Sequence, residues 1–305
     1  MQGPVEEELE FLVKVLERYP LDSLRKIAEK EGINYYRLKR LYDRYYGKYL
    51  HVSAVLSLRR MGLRSFVGFL SVPSDRLMEV AARMVQNPFI SYANPAFGFK
   101  NGLSVIFLVP DDQRELAGKM LEKYSNDYEY YEARAYPYNG NDNFGRWNLD
   151  YDYAVLIGIL KANARTPITE IARKLGKSRP TVRYMINRLI DEGIISGFSA
   201  YFDVNVHDRA VIGLTQHLNE EVLERFEEHE ISVAVLPGYG YFLEWYFSSK
   251  EDLGSKILEF SNYVEKLIIE YFDPAFKEIN DRNMRTRYER MARKDGKGWR
   301  SILEF

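Results

Sequence analysis

Apolar residues recur at every third or fourth position through three consecutive segments in the second half of the chain. This spacing predicts three short amphipathic helices at Tyr153–Asn163, Ile168–Leu175 and Arg179–Glu192. The next segment, IISGFSAYFDV, alternates apolar with small or polar residues and predicts a strand pair behind the third helix. Three helices followed by a strand pair indicate a winged helix-turn-helix.

Strand-like and helix-like patterns alternate in the residues that follow. The predicted order is strand, helix, strand, strand, helix, strand, beginning with AVIGLTQHL and closing with KLIIEYF. The two central strands are predicted to form a hairpin that turns at Gly238-Tyr239-Gly240. The order βαββαβ is that of a ferredoxin-like domain.

The chain carries this plan twice, at a spacing of about 144 residues. IAEKEGINYYRLKRLYDRYYGKYL begins at Ile27 and IARKLGKSRPTVRYMINRLIDEGI at Ile171, and Leu38 of the first meets Val182 of the second. The first copy also continues into a βαββαβ pattern, with a hairpin signal at Asn101-Gly102. We interpret the agreement as an internal duplication, and we call the two units copy one and copy two.

The predicted fold class is therefore α+β, with two winged helix-turn-helix domains and two ferredoxin-like βαββαβ domains arranged as an internal duplication. The predicted domains are a degenerate winged helix-turn-helix at 1–62, a ferredoxin-like sensor or oligomerisation domain at 63–136, a linker at 137–149, a winged helix-turn-helix at 150–206, a second ferredoxin-like domain at 207–280 and a basic C-terminal tail at 281–305.

Composition excludes several classes of function. The 305 residues are 46% hydrophobic and carry a net charge of −1, so a nucleic-acid surface has to be a local patch. The chain has no cysteine, which excludes disulfides, cysteine-bound metals and thiol nucleophiles. The N-terminus lacks the layout of a signal peptide, and the longest apolar run, AVLIGIL, is far shorter than a membrane span. We expect a soluble, cytoplasmic protein without membrane contact.

A local basic patch lies around the third helix of copy two. Residues 173–188 contain six basic side chains and no acidic one, a local charge of +6. Ser178 can cap the start of this helix, Gly176 can form the preceding turn, and Gly193 can end the helix. A solvated basic face is the plain alternative. The combination of charge, cap, turn and following strands favours a recognition helix that enters the major groove of DNA.

Eight side chains at this helix are predicted to contact DNA. Arginine and asparagine can pair bidentately with guanine and adenine, whereas Lys177 and Arg188 are expected mainly on phosphates. The predicted set is Lys177, Ser178, Arg179, Thr181, Arg183, Tyr184, Asn187 and Arg188.

The segment DYAVLIGILKANARTPITEIARKLGKSRPTVRYMINRLIDEGIISGFSAYFDVNVHDRAVIG closely resembles the start of Lrp/AsnC-family transcription regulators. The resemblance is good over 150–215 and general in shape to about 273. It implies a winged helix-turn-helix followed by a ligand-sensing and oligomerisation domain, and hence a DNA-binding regulator. Family members usually have one unit per chain and dimerise, whereas this chain resembles a fused pseudo-dimer, which predicts a DNA site with unequal halves. The matching positions are Ile171-Ala172, Leu175-Gly176, Ser178, Thr181-Val182, Ile186, Leu189, Gly193 and Ile194-Ile195.

Copy one departs from this pattern. Residues 34–49 hold five basic residues and one acid, interleaved with tyrosines. Such a face suits phosphate and sugar contacts, and it also suits a protein interface, where tyrosine and arginine are enriched. Both interpretations stay open. The side chains predicted to contact DNA from copy one are Asn34, Tyr35, Tyr36, Arg37, Lys39, Arg40 and Arg44.

The hairpin of the second sensor domain also departs from the family. At the position where this chain has PGYGYFLEW, family members usually have a sequence similar to Gly-x-Tyr-Asp. Gly238 is kept, but aromatic residues replace the acidic one. The resemblance implies a small-molecule effector near Gly238, Tyr239 and Tyr241. The alternative is that these aromatics, together with Trp245, pack between the two sensor domains.

The basic tail allows three interpretations, since it could lie on phosphates, on the acidic segment EEELE or in solvent.

The duplication also allows an enzyme, because paired Lrp/AsnC-like units are found in siroheme decarboxylases, which are expected to place histidines and arginines around a tetrapyrrole. GKS at Gly176–Ser178 is not a phosphate-binding loop, and the four histidines lack metal-binding spacing. We therefore expect no enzyme, no metal and no cofactor.

The expected partners are double-stranded DNA, a small-molecule effector and further copies of the chain in a homo-oligomer of pseudo-dimers. A protein-interaction module that has lost specific DNA reading is the main alternative to a regulator.

Overall fold

A computed structural model describes residues 4–138, 140, 143–202, 207–229, 231–248 and 253–305, without the side chains of 4–6 and 285. The chain divides into two compact units. The first, which we call the head unit, consists of residues 1–60, 149–204 and 294–296. The second, the barrel unit, consists of residues 61–148, 205–293 and 297–305. Each unit therefore combines corresponding segments of both copies.

The helices and strands follow the predicted order in both copies. Copy one contains α1 (Pro4–Arg18), α2 (Leu24–Glu31), α3 (Tyr35–Tyr45), β1 (Leu50–Leu56), β2 (Leu63–Ser71), α4 (Leu77–Met84), β3 (Ile90–Gly98), β4 (Gly102–Pro110), α5 (Ala117–Glu122) and β5 (Tyr128–Ala135). Copy two contains α6 (Tyr151–Ala162), α7 (Ile168–Leu175), α8 (Arg179–Asp191), β6 (Ile195–Phe202), β7 (Arg209–Thr215), α9 (Glu221–Arg225), β8 (Ser232–Leu236), β9 (Gly240–Phe247), α10 (Gly254–Phe260), β10 (Lys266–Tyr271) and the closing helix α11 (Pro274–Met291). Residues 251–252, where the last predicted sensor helix begins, lie outside the described residues.

The head unit differs from the prediction in its strands. Each copy contributes one strand behind its helices, and β1 pairs antiparallel with β6, from Leu50 opposite Phe202 to Leu56 opposite Ile195. The prediction of a strand pair within each copy is wrong. Local alternation shows that a segment is extended, but it does not show which distant strand completes its hydrogen bonds. The predicted strand residues 203–204 lie outside the described residues.

The barrel unit contains both ferredoxin-like sheets. Their strand orders are β3-β4-β2-β5 and β8-β9-β7-β10, and two antiparallel seams, β5 with β8 and β10 with β3, join them into one closed barrel. Part of the interior is an apolar cluster that draws on both copies, with Phe69 facing Leu214 and Ile268. The strands of the barrel also bury polar residues, among them Asn94, Glu244 and Glu270. The predicted α+β class with two ferredoxin-like domains is confirmed.

Trp245 does not lie at the sensor hairpin. It is fully buried with Phe226 and Phe260 in the core between the second sheet and its helices. Alternation along β9 places Trp245 on the face opposite Phe242, which points into the barrel. The expectation that Trp245 belongs to the aromatic group at the hairpin is therefore wrong.

The predicted basic tail is folded onto the barrel unit. Helix α11 crosses the expected boundary at residue 281. Arg287 is 3% exposed and donates to the carbonyls of Pro88 and Phe89, so the expectation of an arginine available for phosphate is wrong at this position. Beyond the helix, Trp299 stacks on Trp147 at a centroid distance of 4.5 Å.

This packing also changes the predicted linker. Trp147 is buried although it was expected within the linker at 137–149. The three linker residues 139, 141 and 142 lie outside the described residues.

Candidate nucleic-acid interface

The turn before α8 has the geometry of a helix-turn-helix. Gly176 ends α7 in the left-handed conformation at φ 63°, where residues with a Cβ are strained. Ser178 then caps α8, because its hydroxyl oxygen accepts a hydrogen bond from the Thr181 amide at 3.3 Å. Pro180 occupies the first turn, where no helical hydrogen bond is lost. The predicted start of the recognition helix is confirmed.

One face of α8 is buried and the other is open. Val182, Met185, Ile186 and Leu189 pack into the head unit. The opposite face carries five of the predicted contact residues, among them Tyr184 at 63% exposed. The exposed residues are Arg179, Thr181, Arg183, Tyr184 and Asn187.

The basic residues of this region differ in their ionic partners. In the described part of the chain, Arg179 and Arg183 have no ion-pair partner. Lys177 pairs with Asp152 at 2.7 Å, and this hydrogen bond raises the pKa of the lysine. Arg188 pairs with Glu192 at 2.7 Å and lies over the ring of Tyr153. Among the arginines of α8, the uncompensated charge therefore lies in the N-terminal half, the half that a recognition helix presents to base edges.

Two predicted contact residues have roles within the protein as well. Ser178 forms the cap described above, and its hydroxyl also contacts the Thr181 hydroxyl at 2.8 Å. These hydroxyls belong to exposed residues. The copy-two set thus extends along α8, from Lys177 and Ser178 before its first turn to Arg188 in its last turn. Lys177 and Arg188 are already engaged by acids.

Helix α3 of copy one begins in the same way. The Asn34 side chain accepts hydrogen bonds from the amides of Tyr36 at 2.9 Å and Arg37 at 3.1 Å. Leu38 and Leu41 face the core. The asparagine predicted to contact DNA is therefore the N-cap of α3, a role that its position directly before the helix could have indicated.

The outer face of α3 is only partly basic. Tyr36 is 74% exposed, and Arg37 and Arg40 are exposed without ion-pair partners in the described chain. Lys39, however, pairs with Asp43 one turn later, and this hydrogen bond raises the pKa of the lysine.

Two further members of the predicted set have partners within the head unit. Arg44 lies 3.9 Å from Glu8. Tyr35, which was predicted to contact DNA, is half-buried against the core and packs edge-on to Tyr36.

Asp43 was not among the residues predicted from the sequence. The repeat spacing places it opposite Asn187, on the exposed face of α3. Its carboxylate neutralises Lys39 and makes the two helices chemically unlike. The 144-residue repeat was the signal that could have identified it.

The turn between β8 and β9 borders a cavity of about 320 Å³. Gly238 and Tyr239 line it, whereas Tyr241 does not, and Tyr239 packs against Tyr131 of copy one at 4.8 Å. Tyr239 therefore packs between the two ferredoxin-like sheets, which is the second of the two arrangements expected for this hairpin.

A buried carboxylate lies at the wall of this cavity. Glu132 pairs with three arginines, at 2.6 Å for Arg64, 2.8 Å for Arg134 and 3.1 Å for Arg114. Arg114 lines the cavity as well. The wall thus carries a guanidinium, a carboxylate and phenol groups, which could orient a small polar molecule.

Histidine and acidic side chains are the groups that could hold a metal ion in a chain without cysteine. Within the described residues, no three histidine, cysteine or acidic side chains gather as metal ligands would. His207 contacts the ring of Tyr246, and His229 hydrogen-bonds to Lys256 at 3.1 Å. In the same part of the chain, no helix is long and apolar enough to cross a membrane.

The family of the chain follows from its similarity to known proteins. A model of the winged helix-turn-helix DNA-binding family matches residues 150–196. An uncharacterized HTH-type transcriptional regulator of Pyrococcus furiosus is 32% identical over 126 residues, which cover 36% of this chain and 81% of the relative. The chain belongs to the Lrp/AsnC family of transcriptional regulators. The HTH-type transcriptional regulator LysM of Saccharolobus solfataricus is 38% identical over 22% of this chain, and the match spans about half, 48%, of that relative.

A solved structure matches the tandem arrangement. The siroheme decarboxylase NirDL, crystallised with an iron-uroporphyrin III analogue, aligns over 91% of this chain and 98% of its own, with a TM-score of 0.62 and 17% identity. At that identity the likeness shows a common fold. This Lrp/AsnC member therefore shares a duplicated architecture with NirDL.

Proposed function

We propose that the chain is a sequence-specific, double-stranded DNA-binding transcriptional regulator that uses both recognition helices of one pseudo-dimeric chain. The outer face of α8 carries the proposal, because Arg179 and Arg183 stand there without ion-pair partners in the described chain, beside Asn187. Two guanidinium groups and an amide can form bidentate pairs with guanine and adenine in the major groove. Membership in a family of transcriptional regulators supports the same function.

The DNA site is expected to be asymmetric. Where α8 has Arg183, Tyr184 and Asn187, the repeat places Lys39, Arg40 and Asp43 in α3. An acid that pairs with the neighbouring lysine leaves fewer free cations for phosphates and cannot replace asparagine at adenine. The two halves of the operator should therefore differ in sequence, with copy two contributing more to base discrimination.

The test is selection of duplexes from a random pool, followed by salt titrations. Wild type should enrich a defined duplex and lose affinity steeply with salt, because bound phosphates release counterions. Arg183→Ala should weaken the enriched duplex by about tenfold or more, as expected for loss of a base contact. Arg37→Ala should weaken binding through the other half-site.

A matched control is Arg282→Ala, which removes an exposed arginine of α11 that pairs with Glu278. It should leave affinity and salt dependence unchanged. The proposal is refuted if no duplex is enriched and wild type shows no salt-dependent retention.

For copy one, a protein interface is the second candidate. Two features of α3 favour it. The exposed ring of Tyr36 is the kind of side chain that is enriched at protein interfaces, and Asp43 neutralises the charge of Lys39. In that case Tyr36→Ala and Arg37→Ala would leave DNA affinity unchanged while Arg183→Ala lowers it.

We place the small-molecule effector at the cavity beside Gly238 and Tyr239. Arg114 and Glu132 offer both charges to a polar ligand there, and Tyr239 offers a ring. A thermal-shift screen of amino acids should identify a ligand whose effect is lost in Tyr239→Ala and kept in Tyr241→Ala. A ligand effect that survives in Tyr239→Ala would place the effector elsewhere.

The shared fold with NirDL keeps a tetrapyrrole-binding enzyme as a separate candidate. Titration with an iron porphyrin carrying several carboxylates distinguishes it by visible absorption. A stoichiometric spectral shift that is lost on replacing His207 or His229 would favour the enzyme, whereas an unchanged spectrum would leave the regulator.

A further inference from the structure

One arginine of copy two is built into the helix-turn-helix of copy one. Arg165 lies in the loop between α6 and α7 and donates to the carbonyls of Tyr19 at 3.3 Å, Pro20 at 3.0 Å and Asp22 at 3.0 Å. Its Nε donates to the hydroxyl of Tyr42 at 3.3 Å, and the guanidinium lies 5.3 Å from the centre of that ring. Arg165 therefore contacts both the end of α1 and the recognition helix α3.

The two residues before Arg165 are anchored in copy one as well. The Asn163 side chain accepts a hydrogen bond from the Tyr46 hydroxyl at 2.6 Å. The Ala164 amide donates to the carbonyl of Val52 at 2.8 Å, and Ala164 is 1% exposed within the apolar core of copy one. Three consecutive residues thus connect the α6–α7 loop to α3 and β1.

These contacts need an arginine. A guanidinium has five N–H donors in a planar fork, so it can satisfy several carbonyl groups at once and still stack on an aromatic ring. The carbonyls just beyond α1 are acceptors that the helix itself does not use. At the corresponding position of copy one the repeat has Leu21, so copy one has no matching arginine. Copy one instead contributes Glu17 of α1, which accepts a hydrogen bond from the Ala200 amide of β6 at 2.8 Å.

We propose that Arg165 is a positioning residue that holds α3 and α8 in one fixed arrangement, so that the protein binds two half-sites only at one spacing. The DNA consequence rests on the proposed function, whereas the fixed arrangement does not. Preorganised recognition helices avoid an ordering cost when both half-sites are bound.

The arrangement can be measured without DNA. The chain has no cysteine, so cysteines introduced as Tyr36→Cys and Tyr184→Cys at two exposed positions can carry nitroxide labels specifically. Pulsed electron paramagnetic resonance should give one narrow distance distribution in this background. Adding Arg165→Met should broaden or shift it, whereas the control Arg18→Met, which removes an exposed arginine paired with Glu31, should not.

Arg165→Lys keeps the test decisive if Arg165→Met unfolds. Lysine retains the charge but lacks the planar fork, so the distribution should still broaden. The proposal is overturned if Arg165→Met and Arg165→Lys both fold and keep the narrow distance distribution. It is also overturned if Arg165→Met unfolds and Arg165→Lys keeps the narrow distribution. A broad distribution in the labelled protein with Arg165 intact would overturn it as well.

The second readout is a spacing series on the selected duplex. Inserting about 5 bp between the half-sites turns one of them to the opposite side of the DNA, since a helical turn is roughly 10 bp. Wild type and Arg18→Met should lose about tenfold or more in affinity, and the Arg165 variants should lose about threefold or less. Equal losses in all four proteins would refute the role in spacing.

The two proposals fail in distinguishable ways. If wild type binds no duplex, the regulator proposal fails while the spin-label distances still decide the role of Arg165. If wild type binds but the Arg165 variants keep its distances and spacing profile, only the inference about Arg165 fails.

Discussion

At the scale of single residues, burial changes the chemistry of acids inside the barrel. Glu270 on β10 is fully buried on the same face as Ile268, and Asn94 donates to its Oε1 at 2.7 Å. In the described chain its Oε2 has no hydrogen-bond partner. Burial, followed by the nearby Glu244 carboxylate, raises the pKa of Glu270 from its ordinary value to about 8.

This pKa predicts how stability depends on pH. An acid whose pKa is raised on folding holds its proton in the folded protein after the unfolded chain has released it. Its contribution to the free energy of unfolding therefore falls as the pH rises from the unfolded value towards about 8, and it is constant above that. The slope is at most about 1.4 kcal/mol per pH unit.

Glu270→Gln should remove this decline and make the protein more stable than wild type above pH 8, because the amide needs no deprotonation. Urea unfolding at pH 5, 7 and 9 measures the free energy of unfolding of both proteins. Glu278→Gln, at an exposed position on α11, should follow wild type. A wild-type stability that does not fall between pH 5 and pH 9 relative to Glu270→Gln would contradict the prediction.

At the scale of elements, the C-terminal segment after α11 acts as part of a core. The Trp299 indole donates to the carbonyl of Met61 at 2.9 Å, and Ile302 is fully buried. The 14 residues after α11 include four basic side chains, but Trp299 and Ile302 are the large side chains that the segment buries. Within α11 itself, Arg287 is a buried donor to two backbone carbonyls of copy one.

Trp299→Ala should lower the free energy of unfolding by about 3 kcal/mol, since it removes a buried aromatic and leaves a cavity. Under native conditions DNA affinity should change less than about twofold, because the ring does not belong to the recognition helices. Lys297→Ala removes an exposed charge two residues earlier, and it tests whether the C-terminal segment contacts DNA phosphates. If Lys297→Ala weakens DNA binding and Trp299→Ala leaves stability unchanged, the segment is a nucleic-acid contact after all.

At the scale of the whole molecule, the two copies depend on each other. The barrel closes only because β8 pairs with β5 and β10 pairs with β3, and β1 of the head unit needs β6. A separate copy would expose three unpaired strand edges and half of the apolar barrel interior. The association of complete chains into a homo-oligomer stays a prediction, and light scattering of the full-length protein would measure it.

Residues 1–148 and 149–305, produced as two chains, should therefore associate into a one-to-one complex. Affinity capture through a tag on one fragment tests whether the two fragments associate, and light scattering then measures the mass of the complex. Fragment 149–305 alone should form a homodimer by pairing the same edges. If fragment 149–305 is monomeric and unfolds cooperatively, copy two does not depend on a second copy to fold, and the prediction is wrong.

Short-range patterns in the sequence were sufficient to predict the local elements and the start of the recognition helix. Ser178, Pro180 and Gly176 act through neighbouring backbone groups, and apolar spacing assigns Val182 and Ile186 to the buried face. The repeat likewise predicted two ferredoxin-like sheets, because each is built from consecutive segments.

Contacts between residues far apart in sequence were decided by tertiary packing alone. The pairing of β1 with β6, the partners of Arg165 and the burial of Arg287 each depend on which surfaces meet. An arginine looks the same in sequence whether it is exposed on α8 or donating to buried carbonyls. The difference arises because desolvation of a charge is balanced by acceptors that distant segments supply.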